Sequence, residues 1–152
     1  MEKIIPKKVL ILGSTGMLGH MLFFYLKKNK KFKIYDLSFR KKLNPKSMIC
    51  DIQNISDLEK KINKIKPDVI INCIGIIIQN IENKLSDSIY INAFFPNKLK
   101  EIVRPFKTKI IHISTDCVFN GKRGNYSEKD IPNETNIYGL GKFLGEINEK
   151  PH

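Results

Sequence analysis

The stretch that decides the fold is VLILGSTGMLG, residues 9–19. A short apolar run ends at Gly13, and Gly16 and Gly19 follow at intervals of three residues before a helical pattern begins. Glycines between a strand and a helix permit a tight turn and a close backbone approach to phosphate groups. The helix N-terminus adds free N–H donors and a positive dipole end. We therefore predict a strand–loop–helix unit that binds a pyrophosphate.

Strand-like and helix-like segments alternate through the rest of the chain, which is typical of an α/β fold with a doubly wound parallel sheet. We predict strands at 9–12, 32–37, 48–52, 69–74 and 109–114, and helices at 17–28, 56–66, 86–103 and 138–149. The third helix contains Pro96, which predicts a kink or two pieces. The expected sheet is Rossmann-like, with strand order 3-2-1-4-5.

The second predicted helix carries signals for its start and for its buried side. Ser56, followed by Glu59 three residues later, has the pattern of a capping box. Leu58, Ile62 and Ile65 recur at helical spacing and are predicted to face the core.

Composition excludes several classes of protein. Only 41% of the 152 residues are hydrophobic, and no apolar run approaches the ~20 residues of a membrane helix. We therefore predict a cytoplasmic protein with no membrane partner. Three separated cysteines without CxxC spacing (Cys50, Cys73 and Cys117) argue against a disulfide framework or a metal site and are expected to be small buried hydrophobes.

The net charge of +12 comes mostly from lysine. The lysines are spread over predicted helix faces and loops, without an arginine-rich stripe or interleaved aromatic residues. Base-stacking surfaces need those features, so we predict a solvated lysine-rich surface and no nucleic-acid partner.

The end of the second strand should select between two dinucleotides. An acid there binds the ribose 2′-hydroxyl of NAD, whereas a neutral residue with a nearby arginine favours the 2′-phosphate of NADP. Strand alternation gives Asp36 and Ser38 the same facing, and Arg40 follows. The strand length favours Ser38 with Arg40, and therefore NADP. Asp36 keeps NAD open.

Two further segments stand at predicted strand ends, where parallel sheets bind ligands. Asp51 and Ile52 follow the third strand; Asp51 is a candidate acceptor for an adenine amino group, and Ile52 a candidate to pack on the ring. Cys73, Ile74 and Gly75 follow the fourth strand. Together with the glycine loop these residues fit one cofactor pose.

The last signal combines hydroxyl residues with a tyrosine and a lysine. Ser114 and Thr115 follow the fifth strand, while Tyr138 and Lys142 lie four apart at a helix start and therefore share one face. An ammonium near a tyrosine favours its phenolate form, which makes Tyr138 a candidate proton donor to a carbonyl group. A hydroxyl of Ser114 or Thr115 is a candidate to hold the substrate oxygen.

Three separated motifs carry a resemblance: STDCVFNG at 114–121, YSEKD at 126–130 and YGLGKFLGE at 138–146. With the GxxGxxG loop they resemble the extended short-chain dehydrogenase/reductase superfamily. The chain is most similar there to the dTDP-4-dehydrorhamnose reductase-like (RmlD-type) nucleotide-sugar reductases. The similarity runs from about Val9 to Glu146.

The resemblance implies a reductase that uses a nicotinamide dinucleotide to convert a nucleoside-diphosphate-linked 4-keto-6-deoxy sugar into the alcohol, in the synthesis of polysaccharide precursors. It implies a catalytic set of Thr115, Tyr138 and Lys142. The implied cofactor contacts are Gly13, Thr15, Gly16, Met17, Leu18, Gly19, Ser38, Arg40, Asp51, Ile52, Cys73, Ile74, Gly75, Tyr138 and Lys142. The implied substrate contacts are Ser114, Asp116, Val118 and Phe119. A nucleotide-sugar epimerase or dehydratase, a non-catalytic NAD(P)-binding module and an inactive fragment stay open as alternatives, as does a homodimer.

The sequence departs from that family in two residues and in length. Cys117 stands where the family has an aromatic residue, and Gly141 stands where it has a serine before the lysine. Family members are roughly twice as long. We therefore expect residues 1–152 to be one incomplete NAD(P)-binding domain that stops before a sixth strand and lacks the substrate domain.

Overall fold

The computed structural model describes residues 5–81 and 84–147. Its five strands are β1 (Lys7–Leu12), β2 (Phe32–Ser38), β3 (Met48–Ile49), β4 (Val69–Asn72) and β5 (Lys109–His112). Its helices are α1 (Met17–Lys27), α2 (Ile55–Ile65), α3 (Leu85–Ile89), α4 (Phe95–Val103) and α5 (Ile137–Leu144). The strands form one parallel sheet in the order β3-β2-β1-β4-β5, which confirms the predicted Rossmann-like architecture.

The strand register brings the carboxyl ends of neighbouring strands to one edge of the sheet. Leu12, the last residue of β1, pairs with Leu37 on one side and Asn72 on the other, and Asn72 pairs with His112. The glycine loop and the segments that follow β2 and β4 therefore leave the sheet at the same edge, which is where parallel sheets bind ligands.

The centre of the sheet is buried on both faces. Val9, Ile11 and Ile71 form a core cluster with Phe23 of α1, while Leu10 lies on the opposite face and is also fully buried. Burial on both faces explains why β1 reads as a continuous apolar run and does not alternate with polar residues.

Helix α2 begins earlier than the sequence predicted. Asn54 is its N-cap, and the Asn54 side chain accepts a hydrogen bond of 3.1 Å from the N–H of Asp57. The predicted capping box of Ser56 and Glu59 is therefore wrong, because asparagine two residues upstream satisfies the first turn. The predicted inward residues of α2 (Leu58, Ile62 and Ile65) are buried.

Other element boundaries also differ from the predictions. Strands β3, β4 and β5 end earlier, at Ile49, Asn72 and His112. The segment before Pro96 is a π-helical turn, Tyr90–Phe94, which separates α3 from α4 and confirms the predicted two pieces. Proline has no N–H to donate within the helix, so a change of helical geometry there is expected.

Helix α5 ends at Leu144, where the N–H of Gly145 donates to the carbonyls of Gly141 and Lys142 and the N–H of Glu146 donates to that of Phe143. The end of the predicted helix at Glu149 lies outside the described residues. Within the ranges that the structure describes, the helices are too short or too polar to cross a bilayer.

The chain forms two compact units. The first comprises the residues up to Ile74 together with Lys100–Ile113, and the second comprises Gly75–Leu99 together with the residues from Ser114 onward. The assignment of residues 1–152 to a single domain stays a prediction.

Candidate nucleotide and substrate sites

The glycine loop of the first unit depends on backbone positions that only glycine fills easily. Gly13 has a positive φ of +81°, which side chains rarely adopt. A Cβ added to Gly19 would lie 2.3 Å from the carbonyl oxygen of Gly13. The loop closes through a 3.0 Å hydrogen bond from the Gly16 N–H to that same oxygen, and α1 begins at Met17. The structure therefore places an uncapped helix N-terminus behind a narrow loop, with Thr15, Met17 and Leu18 exposed.

A buried carboxylate fastens this loop to β2. Asp36 is only 3% exposed. One of its oxygens accepts a 2.8 Å hydrogen bond from the hydroxyl of Ser14, and the other accepts a 3.1 Å bond from the amide of Asn44. Both carboxylate oxygens of Asp36, the residue that would favour NAD, are therefore already hydrogen-bonded, one to the glycine loop and one to the segment after β2.

The residues after β2 form a basic cavity of about 450 Å³. The Ser38 hydroxyl is buried and donates to the carbonyl of Lys41 at 2.5 Å, so it shapes the turn. Arg40, Lys41 and Lys42 line the cavity together with Thr15, His20 and Leu43. Three cations beside the glycine loop make this cavity suited to a phosphate group.

The end of β4 packs directly against the glycine loop. A Cβ on Gly13 would lie 3.0 Å from Cγ1 of Ile74 and 3.3 Å from the carbonyl of Cys73. These two predicted cofactor residues are therefore brought to the loop. Asp51 is exposed after β3 and accepts from the N–H of Gln53, while its neighbour Ile52 is buried.

The cysteines differ in their surroundings. Burial raises the pKa of the Cys50 thiol to about 12 and that of the Cys73 thiol to about 11. Cys50 is buried, as predicted, whereas Cys73 is only partly buried. The same prediction is wrong for Cys117, which is exposed. Cys117 lies in the short helical turn Asp116–Val118, which the Thr115 side chain caps.

In the second unit, Thr115 and α5 are fixed to one another. The Thr115 hydroxyl accepts from the N–H of Cys117 at 3.2 Å and so caps a short helical turn, Asp116–Val118. A Cβ on Gly139 would lie 2.3 Å from the carbonyl oxygen of Cys117, so only a glycine allows α5 to come this close. Asn136 caps α5 by accepting from the Gly139 N–H at 2.9 Å.

Helix α5 carries the predicted tyrosine–lysine pair. Tyr138 is half-buried and Lys142 is 6% exposed. Burial lowers the pKa of the Lys142 ammonium, and the carboxylate of Glu146 opposes that shift. The Ser114 hydroxyl donates to Glu146 at 2.6 Å and thus fastens the start of the segment at 114–118 to the residues that follow α5. The predicted Gly75 also lies in this unit, where a Cβ on it would approach the amide oxygen of Asn92 at 3.5 Å.

A cavity of about 1190 Å³ opens within the second unit. Its lining includes the predicted catalytic Thr115 and the predicted substrate residues Ser114, Asp116, Val118 and Phe119. The sequence did not assign a role to another part of the lining, which includes Tyr126, Asp130, Phe143 and Glu146. Aromatic faces next to carboxylates suit a polyhydroxylated ligand, because the rings stack on C–H surfaces and the carboxylates accept from hydroxyls.

Side chains within residues 119–130 support one wall of this cavity. The rings of Phe119 and Tyr126 stack with centroids 4.5 Å apart. The Arg123 guanidinium lies over the Tyr126 ring and pairs with Asp130 at 2.7 Å, which holds the pKa of the Asp130 carboxyl below its usual range. The motif at 126–130 was the signal that could have identified this cluster.

Two buried asparagines, Asn72 and Asn92, have structural roles that the sequence did not predict. Asn72 bonds to Nδ1 of His112 and accepts from the N–H of Ile74, so it holds the ends of β4 and β5 in register. Asn92 accepts from the N–H of Ile76 and donates to its carbonyl, which fixes the segment after Gly75. The available signal was the position of each residue, because Asn72 ends an apolar strand and Asn92 lies inside a helix. A buried amide in either place needs hydrogen-bond partners.

Comparison with known proteins establishes the family. The family model described as the RmlD substrate binding domain matches residues 7–149, so the chain belongs to this family. A dTDP-4-dehydrorhamnose reductase of Aggregatibacter actinomycetemcomitans is 32% identical over 141 residues, which is 91% of this chain and 45% of the relative. The beta subunit of methionine adenosyltransferase 2 from Bos taurus is 29% identical over 92% of this chain and 42% of its own length.

A solved structure supports the same assignment. The crystal structure of dTDP-4-dehydrorhamnose reductase from Bacillus anthracis, in complex with NADP, superposes with a TM-score of 0.83 and 29% identity. The match covers 95% of this chain and 49% of that one. The chain therefore spans about half the length of the relatives it matches.

Proposed function

We propose that this member of the RmlD substrate-binding-domain family is the dinucleotide-binding and catalytic part of an NADP-dependent oxidoreductase. Its substrate would be a 4-keto-6-deoxy sugar carried by a nucleoside diphosphate. The observation that carries the proposal is the packing of the Thr115 turn against α5, the helix that bears Tyr138 and the buried Lys142. The reductases among the relatives support the same chemistry.

The first unit has the features that a dinucleotide requires. Side chains at Gly13 or Gly19 would collide with the loop backbone or strain it, so the cradle stays open to a pyrophosphate. The bound dinucleotide would supply the hydride. We assign the predicted contacts of Thr15, Met17, Leu18, Cys73 and Ile74 to this cofactor, because each lies on the loop, the first turn of α1 or the end of β4.

The basic cavity favours NADP over NAD. Arg40, Lys41 and Lys42 beside Thr15 would bind the 2′-phosphate through charge-assisted hydrogen bonds. The carboxylate of Asp36 is buried and already accepts from Ser14 and Asn44, which leaves less support for a role in binding the ribose of NAD. Ser38 contributes by shaping the turn that carries Arg40.

The second unit supplies the proton chemistry. The Tyr138 hydroxyl would donate its proton to the carbonyl oxygen as that oxygen gains negative charge. The Lys142 ammonium, four residues away on the same face of α5, would stabilise the phenolate that remains. The Thr115 hydroxyl would hold the carbonyl oxygen, and the cavity lined by Ser114, Asp116, Val118 and Phe119 would hold the sugar.

A second candidate is a non-catalytic NADP-binding subunit. The similarity to a protein named as the beta subunit of methionine adenosyltransferase 2 favours it, since that name designates a component of a larger enzyme. The departures at Cys117 and Gly141 also leave room for a lost activity. Under this reading the cradle would bind dinucleotide, while Tyr138 would be dispensable.

The test is oxidation of NADPH by the purified chain with dTDP-4-dehydrorhamnose, compared among the wild type, Tyr138→Phe and the matched control Tyr25→Phe on the exposed side of α1. We expect turnover in the wild type and the control, and a fall in kcat of at least about 100-fold for Tyr138→Phe. NADPH binding without turnover in any variant would favour the subunit. Full activity of Tyr138→Phe would contradict the assigned chemistry.

A further inference from the structure

Glu146 has no part in the chemistry proposed above, yet its position relates it to the tyrosine and the lysine of α5. Tyr138, Lys142 and Glu146 follow one another at intervals of four residues, the spacing that places side chains along one helix face. Beyond the end of α5, the N–H of Glu146 still donates to the carbonyl of Phe143 at 3.0 Å, so the turn continues to this residue. Glu146 also lines the cavity of the second unit.

The carboxylate of Glu146 is held by the segment at 114–118. One of its oxygens accepts a 2.6 Å hydrogen bond from the hydroxyl of Ser114, which lies 32 positions earlier in the chain. A hydrogen bond to an ionised carboxylate is stronger than one between neutral groups. The position of the negative charge of Glu146 is therefore fixed by contacts with two separate parts of the second unit.

The same bond separates the two hydroxyl residues that were candidates to hold the substrate oxygen. A carboxylate can only accept, so the single hydroxyl proton of Ser114 is directed to Glu146 and not to a carbonyl oxygen. The Thr115 hydroxyl accepts from the N–H of Cys117 at 3.2 Å, and its own proton makes only a long 3.3 Å contact with Asp116. Thr115 is therefore the better donor to a substrate, while Ser114 is left to accept.

Lys142 is the group on which the charge of Glu146 acts. Lys142 is 6% exposed, and burial lowers the pKa of its ammonium because the charged form loses its hydration. The carboxylate of Glu146 opposes that shift. Ionisable side chains on the segments packed against α5 are those of Asp87, Tyr90, Asp116, Cys117 and Glu134. Glu146 is the residue whose charge counters the effect of burial on Lys142.

We propose that Glu146 is a positioning residue of the candidate reductase site, which keeps the buried Lys142 in its ammonium form and turns the Ser114 hydroxyl away from the substrate carbonyl. The inference rests on the proposed function, since Lys142 would support Tyr138 only while it carries a positive charge. Glu146 itself would not touch the reacting atoms. Its removal should change the pH range in which the proton is donated, and not only the stability of the second unit.

The first experiment follows the ionisation of Lys142 without turnover. The side-chain NMR signals of Lys142, assigned by their loss in Lys142→Met, are titrated with pH in the full chain. In Glu146→Gln, which keeps the size of the side chain without its charge, the pKa of Lys142 should fall below that in the wild type. In Glu146→Asp it should lie between the two. The matched control Glu59→Gln, at an exposed position of α2, should not change it. Equal values in the wild type and Glu146→Gln would overturn the inference.

A double variant tests whether Ser114 acts through Glu146. Ser114→Ala should lower the pKa of Lys142 by less than Glu146→Gln does, because the carboxylate remains but is no longer held. Adding Ser114→Ala to Glu146→Gln should produce no further change, as expected for residues that act through one contact. Additive shifts would show that Ser114 affects Lys142 by another route and would overturn the assigned link.

Turnover with NADPH and dTDP-4-dehydrorhamnose then relates this ionisation to the reaction. Glu146→Gln should lower kcat by about tenfold at alkaline pH, a part of the roughly 10²–10⁴-fold that a positioned proton donor contributes, and by less at neutral pH. The pH dependence follows because Lys142 loses its ammonium at a lower pH in this variant. A loss of kcat by the same factor at every pH would indicate a merely structural role and overturn the inference.

The two experiments separate this inference from the proposed function. A pKa of Lys142 that falls in Glu146→Gln, in a chain without turnover in any variant, would support the link between the two residues and count against the reductase alone. An unchanged pKa in a chain that reduces the sugar would overturn the role of Glu146 and leave the reductase intact.

Discussion

The glycine loop of the first unit and the cavity of the second unit differ in how their polar side chains find hydrogen-bond partners. At the loop, the buried side chains of Ser14 and Asp36 bond to one another, Asp36 also accepts from the partly buried Asn44, and the backbone forms the surface left for a ligand. In the cavity, carboxylates and hydroxyls line the open space and are held by contacts near the surface, such as the Arg123–Asp130 pair.

That difference indicates what each region can tolerate. The loop selects its ligand by backbone shape, so its most sensitive positions are those where a side chain does not fit. The cavity selects by side-chain chemistry, so its substitutions should change specificity more than folding. The following experiments test this contrast, beginning with the largest expected effect.

Two glycines with the same steric constraint provide the sharpest comparison. Gly19→Ala and Gly139→Ala each place a Cβ 2.3 Å from a backbone oxygen, and each should cost about 1–3 kcal/mol of stability. Gly19→Ala should also weaken NADPH binding by about 100-fold. Gly139→Ala should spare NADPH binding and abolish turnover. Calorimetric titration would measure NADPH binding, and thermal melts would measure stability. Equal loss of NADPH binding in both variants would contradict the predicted difference between the loop and the cavity.

A substitution of Asp36 tests whether the glycine loop depends on the hydrogen bonds of this buried carboxylate. Asp36→Asn removes an acceptor from Ser14 or Asn44 and should lower the free energy of unfolding by about 1–3 kcal/mol. Asp130→Asn, in a partly exposed pair, should lower the urea midpoint less than Asp36→Asn does. A larger effect at Asp130 than at Asp36 would reverse the roles assigned to the two regions.

The sheet was predictable from the sequence because parallel strands need crossover helices and because the glycine spacing occurs between a strand and a helix. The start of α2 was not, since Asn54 and Ser56 are both good caps and only the path of the chain selects Asn54. The role of Asp36 depends on Asn44, eight residues away in a loop without periodicity.

The positions of the candidate catalytic residues in the fold were predictable from their motifs, although their catalytic role stays a prediction, whereas the wall of the cavity was not predictable. Thr115, Tyr138 and Lys142 follow local spacing rules on a strand end and a helix. The wall depends on a stack between Phe119 and Tyr126 and on the ion pair of Arg123. Those contacts form between residues of a long polar segment whose conformation no simple pattern specifies.

The smallest predicted effect concerns pH. Because burial lowers the pKa of Lys142 in the folded chain, its charge opposes folding at neutral pH. That cost is relieved as pH rises through the lowered pKa towards the ordinary value of about 10.5. The wild type should therefore gain stability relative to Lys142→Met between neutral and alkaline pH. Melting curves across that range would show the trend, and a difference that is constant with pH would argue against a charged, buried Lys142.

The most direct test of the account is a parallel titration of the folded chain with NADPH and NADH, monitored by nicotinamide fluorescence. The structure predicts that NADPH binds at least about tenfold more tightly, because three cations line the cavity beside Thr15. Changing Arg40, Lys41 and Lys42 to Ser should remove this preference and leave NADH binding unchanged. Equal affinities in the wild type, tighter binding of NADH, or a preference that survives the triple substitution would contradict the proposed cofactor site.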